Sequence, residues 1–177
     1  MSYKNGNMKT IELHENGLDI QFRIRENGVV ELADFSSQGV KKAAMEPKED
    51  IYYPAVEIHR SGTGSLNMHA YKNNINQSSV DFVYENHELK EQEGGKELEI
   101  VMVSPEKLKA VYHMRLFDGI PAVQTWTEIT NEGSEDQGLT HVSSFIYQGI
   151  SRGGEKPYYK KTDIYVPFNS WCCEAQW

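Results

Sequence analysis

Glu57 and His59 stand two residues apart in a stretch, Tyr52 to His59, that reads as a β-strand. Residues i and i+2 of a strand share a face, so a carboxylate sits beside an imidazole, a pairing suited to general acid–base chemistry. Arg60 prolongs the polar run, which suits an exposed strand face without chemistry equally well. A second grouping closes the chain. Asn169, Trp171, Glu174, Gln176 and Trp177 crowd into the last residues, with Tyr165 just ahead. Residues of these types bind sugars, since aromatic faces stack on C–H surfaces while amides and carboxylates bond hydroxyls. Trp171 and Trp177 are evenly spaced and would share a strand face. Packing in a core or against another domain is the competing use of the same side chains.

Other chemistries find less support. The histidines are His14, His59, His69, His87, His113 and His141, and no two are spaced i, i+2 or i, i+4. A metal site would have to be assembled across strands from distant positions, so neither metal nor cofactor is expected. Cys172 and Cys173 are adjacent, which ordinary disulfide geometry disfavours, and free thiols are expected. There is no Gly-x-Ser-x-Gly nucleophile elbow. Ser61-Gly62-Thr63-Gly64 lacks the Gly-Lys-Ser/Thr ending of a phosphate loop and reads as a turn, although glycine would let backbone approach a ligand closely.

The elements that must position these residues are strands. Leu18, Ile20, Phe22 and Ile24 alternate with Asp19, Gln21, Arg23 and Arg25, the period of a half-buried strand. Asn27-Gly28 supplies a tight turn, and Val29 to Phe35 returns, so 18–35 reads as a hairpin. Residues 36–50 read as loop, with one helical turn at most near Val40 to Met45. Lys72 to Gln77 reads as a polar turn, and Val80 to Glu93 as two strands broken near Asn86. Leu98, Ile100 and Met102 form an apolar face. So do Leu108, Ala110, Tyr112, Met114 and Leu116, with Lys107, Lys109, His113 and Arg115 mostly opposite. Asp118-Gly119 and Glu132-Gly133-Ser134 turn the chain into Ala122 to Asn131 and Leu139 to Ile150. Long consecutive strands joined by short turns predict an all-β fold, a two-sheet antiparallel sandwich.

Length and charge set outer bounds. The 177 residues suit one domain over 1–177 and fall short of a (β/α)₈ barrel, which typically needs about 250. Acidic residues outnumber basic ones 26 to 18, for a net charge of −8, and no Lys/Arg run exceeds the pairs at Lys41 and Lys160. Nucleic acid is therefore not an expected partner. No segment approaches the roughly 20 apolar residues of a membrane helix, and Met1 to Thr10 lack a signal-peptide core. The cytoplasm is the expected location.

Several segments together resemble a known family. Tyr53-Pro54-Ala55-Val56-Glu57-Ile58 with Ser61-Gly62-Thr63-Gly64, Ile120 to Gly133, and Gly138 to Phe145 are similar to successive strands and turns of family 36 glycoside hydrolases, the α-galactosidase (melibiase) group. Phe168-Asn169-Ser170-Trp171 with Glu174-Ala175-Gln176-Trp177 resembles that family's His-Asn-Ser-Trp and Glu-x-Gln-Trp signature, with Phe168 in place of the histidine. The resemblance spans most of 10–177. It implies an N-terminal β-supersandwich related to the galactose mutarotase fold, followed in the family by a (β/α)₈ barrel that carries the two aspartates of retaining hydrolysis. Both aspartates would lie beyond Trp177, so the chain is expected to be part of a longer enzyme and to hold no catalytic residue itself.

The resemblance further implies packing on that barrel, a role in homo-oligomer contacts, and loop residues at the rim of an α-galactoside site. Glu57, His59, Asn169, Trp171, Glu174 and Trp177 are the candidates for substrate or interdomain contact. Other functions compete with it. An aldose mutarotase-like enzyme would use Glu57 or Glu174 as base with His59 or His141 as acid. A galactose-binding module would stack sugar on Trp171, Trp177 or Trp126. A purely structural oligomerisation domain is the last.

Overall fold

The computed structural model describes residues 9–37, 52–64 and 76–147, together with 160, 163, 168–170 and 173–176. Two antiparallel sheets dominate. One has the order β1-β2-β3, from β1 (Lys9–Glu15), β2 (Leu18–Ile24) and β3 (Val30–Ser37). Short β4 (Ile58–Arg60) and the helix α1 (Gln77–Asp81) follow in the chain. The other sheet is a four-strand meander in which β5 (Val83–Gln92), β6 (Gly95–Val103), β7 (Leu108–Phe117) and β8 (Ile120–Asn131) lie side by side in chain order. β4 pairs with β9 (Leu139–Val142), and β10 (Phe168–Ser170) pairs with β11 (Cys173–Gln176).

Alternation explains the core. Leu18, Ile20, Phe22 and Ile24 of β2 turn inward, and Leu98, Ile100 and Met102 of β6 with Leu108, Ala110, Tyr112, Met114 and Leu116 of β7 turn toward them, all buried in one cluster. Phe22 and Tyr112 meet edge to face at 5.8 Å between ring centroids, a favoured aromatic geometry. The β2–β3 turn depends on glycine for two reasons. Gly28 has φ +87, and a Cβ there would lie 2.8 Å from that of Val83. The outer strands of the meander are long and open, and β5 is exposed nearly throughout. Its charged residues Glu85, Glu88, Lys90 and Glu91 discourage pairing with another chain.

The 18–35 hairpin and the meander agree with the sequence pattern, but several elements differ. β1 leaves no clear period in the sequence, because only Ile11 and Leu13 of its residues are buried. The expected strand over 52–59 is reduced to Ile58–Arg60, with Pro54 making one isolated bridge to Glu31. Residues 80–93 do not form two strands. Val80 lies in α1, and β5 is one strand whose register shifts between Tyr84 and Asn86. The expected 139–150 strand stops at Val142. The Val40 to Met45 turn lies outside the described residues.

Arg23 also departs from simple alternation. It belongs to the polar face of β2, yet it is buried. Its guanidinium donates twice to Glu31 Oε2, at 3.0 and 2.6 Å, while Arg25 donates to Oε1 at 3.2 Å and the Tyr53 amide to the same oxygen at 3.0 Å. Glu31 is fully buried. The 52–54 segment thus covers one end of the outer face, and Glu31 is the anion that permits two arginines there. Removing one member of a buried charge network typically costs about 3–5 kcal/mol because the partners are left uncompensated. Glu31→Ala is expected to lose stability on that scale in urea unfolding, whereas Glu12→Ala, whose carboxylate is exposed, is expected to change little.

Candidate functional site

Short β4 has two different edges. On one it pairs with β9, Ile58 opposite Val142 and His59 opposite His141. The Glu57 amide extends this edge by donating to Ser143 Oγ at 2.8 Å, and the Ser143 amide returns a bond to the Glu57 carbonyl at 2.9 Å. On the other edge, among the described residues, no strand pairs with it. The first turn of α1 takes that place with hydroxyls. Ser79 Oγ accepts from the Ile58 amide at 2.9 Å, Ser78 Oγ accepts from the Arg60 amide at 3.3 Å, and Ser78 Oγ donates to the Ile58 carbonyl. Buried backbone groups must find partners, and here two serines supply them. Asn76 caps the helix, its side chain accepting from the Ser78 amide at 3.0 Å.

This frame holds the carboxylate and imidazole expected to meet. Glu57 precedes the strand instead of lying within it, yet its Oε1 is 2.9 Å from His59 Nε2. The same oxygen accepts from the Asn76 amide at 2.7 Å. The carboxylate and the imidazole are thus joined by one hydrogen bond. Glu57 is buried, and its Oε2 has no hydrogen-bond partner among the described residues. The His141 ring lies 5.0 Å from that of His59 and is exposed. The three side chains form a row from the interior to solvent: carboxylate, imidazole, imidazole. Such a row can orient and pass a proton, and it can equally hold a loop in place.

Arg60 ties the site to the meander. Its guanidinium, 7% exposed, bonds Asp81 at 3.1 Å and Glu106 in the β6–β7 turn at 2.7 Å. Ser61-Gly62-Thr63-Gly64 is a turn against α1: Thr63 Oγ1 lies 2.7 Å from the Arg60 carbonyl and 2.9 Å from Asn76 Oδ1.

The remaining candidates are not brought to this site by any described contact. Asn169 lies in β10 and Glu174 in β11, two strands of one antiparallel ribbon. Trp171 and Trp177 lie outside the described residues. Trp126 is half-buried and stacks on His113 at 4.6 Å with an interplanar angle of 5°, so one of its faces is occupied. Asn76, Ser78 and Ser79 join the site without being evident from the sequence, and Arg60, read there only as part of an exposed polar run, is buried. The available signal is the helix-capping pattern of Asn76 followed by Ser78. Among the described residues, one set has the composition and proximity to hold a metal ion: Glu97, Glu99 and His113. It is assembled across neighbouring strands, the only way the histidine spacing allows.

The Arg60–Glu106 pair generates a pH-dependent prediction. Burial alone would raise the Glu106 carboxyl, but hydrogen bonds from its own amide, Arg60 and Ser104, with the Arg60 charge, hold it below its ordinary value. A carboxyl lower in the folded than in the unfolded state adds stability above its unfolded value. It loses that contribution as pH falls through the folded value. Glu106→Gln is therefore expected to be less stable at neutral pH, by no more than about 1 kcal/mol because the pair is partly exposed. Urea unfolding of the two proteins should converge as the solution is acidified past the carboxylate range.

No protein-family model and no curated protein matches the chain. Solved structures do. The chain is similar to the GH36 α-galactosidase AgaA from Geobacillus stearothermophilus, with a TM-score of 0.51 and 13% identity, over 74% of this chain and 23% of that one. A doubly substituted form of that enzyme in complex with raffinose aligns with a TM-score of 0.47 and 12% identity, over 71% and 22%. The chain thus spans about a quarter of that enzyme's length. At this identity the likeness is one of fold: an all-β sandwich that also occurs as part of a GH36 α-galactosidase.

Proposed function

We propose that the chain is a non-catalytic N-terminal domain of an α-galactosidase-like glycoside hydrolase, packing on a catalytic barrel and supporting oligomer contacts and the rim of the active site. The observation that carries this reading is the fold shared with about a quarter of AgaA. The family-like segments around Tyr53, Ile120, Gly138 and Phe168 support it. Retaining hydrolysis needs two carboxyl groups on opposite sides of the scissile bond. Glu97 and Glu99 are close together, but they stand side by side on one strand and are tied to Gln92 and Lys90. In this reading the Glu57–His59–His141 row stiffens the β4 loop toward a neighbouring domain, and Asn169, Trp171, Glu174 and Trp177 contribute to the same junction.

A second reading rests on that row. A carboxylate 2.9 Å from one imidazole, with another imidazole beside it, has the groups an aldose mutarotase-like reaction on galactose would use. Glu57 Oε1, however, already accepts from the Asn76 amide.

The two readings part in a simple assay. The purified chain is expected neither to hydrolyse aryl α-galactosides nor to speed galactose anomerisation followed by polarimetry. In the parent gene, the reading frame is expected to continue past Trp177 into a barrel with two essential aspartates. Turnover by the purified chain, or a parent gene that lacks a barrel, would overturn the proposal. Anomerisation that disappears in Glu57→Gln would establish the second reading instead.

A further inference from the structure

We propose that Glu97, Glu99 and His113 form a binding site for a divalent transition-metal cation of the zinc type on the outer face of the β5–β8 sheet. The three side chains come from β6 and β7, where Glu99 is the cross-strand partner of His113 and Glu97 lies one position diagonal. One ligand atom from each lies within 4.8 Å of the others. His113 Nδ1 is 2.9 Å from Glu97 Oε1 and 3.8 Å from Glu99 Oε1. Two ligands about 2.1 Å from a tetrahedral ion stand roughly 3.4 Å apart, and the two distances from Nδ1 to the carboxylates bracket that value.

The second atom of each carboxylate is already held. Gln92 Nε2 donates to Glu97 Oε2 at 2.7 Å, and Lys90 Nζ lies 2.6 Å from Glu99 Oε2. Both Oε1 atoms are left facing the imidazole, their positions fixed from behind as outer-sphere partners fix metal ligands. Lys90, bonded to Glu99, and Arg115, the cross-strand partner of Glu97, are competing cations. The carboxylates of Glu97, Glu99 and Glu128 outnumber them by one.

The imidazole supplies an independent indication. His113 has a side chain 9% exposed, and its Nε2 is buried without a hydrogen-bond partner among the described residues. That nitrogen faces Glu128 Oε1 of β8 at 3.7 Å, while Trp126 stacks flat on the ring. Metal-bound histidine ordinarily donates its other N–H to a carboxylate. A cation at Nδ1 would place the proton on Nε2, turned toward Glu128 Oε1, which would have to close from 3.7 Å and leave the Trp126 indole N–H to accept it. One imidazole with carboxylates suits zinc and its neighbours better than calcium or magnesium.

Calorimetric titration of the chelator-stripped full chain with zinc chloride is expected to show one saturable site per chain. Cobalt(II) is expected to develop visible absorption in the same protein. Both signals should vanish in His113→Gln and in Glu99→Gln, and Glu128→Gln should weaken zinc binding by about tenfold. Circular dichroism checks folding, and should His113→Gln fail to fold, the more exposed Glu99→Gln decides. No saturable binding by the parent chain, or binding that persists unchanged in a folded variant of His113 or Glu99, would overturn the assignment.

Discussion

The edge-to-face contact of Phe22 with Tyr112 marks the constraint on which the rest of the molecule depends. Two sheets must each turn one apolar face inward, and every strand of the core must keep the register that does so. Because side chains alternate with period two, a one-residue slip would move a whole apolar set to the outside. β2 and β7 supply the deepest residues, and both rings are almost fully buried. Phe22 and Tyr112 belong to strands far apart in the chain, so the sandwich cannot be assembled from local hairpins alone.

Function is then a matter of what is added to that frame. β4 is too short to be held by strand pairing alone, and α1 completes it with serine hydroxyls. The same arrangement buries Glu57 and aims His59 at it. Arg60 joins the unit to the β6–β7 turn through Glu106. Loops and short elements fixed on a rigid scaffold are where binding residues usually occur, and this polar unit is anchored in the core through Ile58 and Phe82. The outer face of the meander carries a different cluster, in which Trp126 and His113 shield carboxylates from solvent.

Much of the scaffold is legible in the sequence, and the reasons are specific. The 18–35 hairpin announces itself by four alternating apolar residues and Asn27-Gly28. The meander does so by apolar faces separated by turn residues. α1 is not legible in the same way: five residues are too few to show a helical period, and only its cap leaves a trace. Alternation assigns a residue to one side of a sheet but is silent on what covers that side. Arg23 and His113 fall on polar faces and are nonetheless buried, one by Glu31 and the 52–54 segment, the other beneath Trp126. Glu57 and His59 can be paired from their spacing alone. His141 cannot be added to them, because the pairing of β4 with β9 is a long-range event.

The most direct test of the account is a double-mutant cycle joining Phe22→Leu and Tyr112→Leu, with stabilities measured by urea unfolding. If the two sheets meet through these rings, the effects are non-additive by about 0.5–1.5 kcal/mol, the scale of an aromatic pair beyond its buried area. Strictly additive losses would mean that the rings do not touch, and that the sandwich is not packed as described.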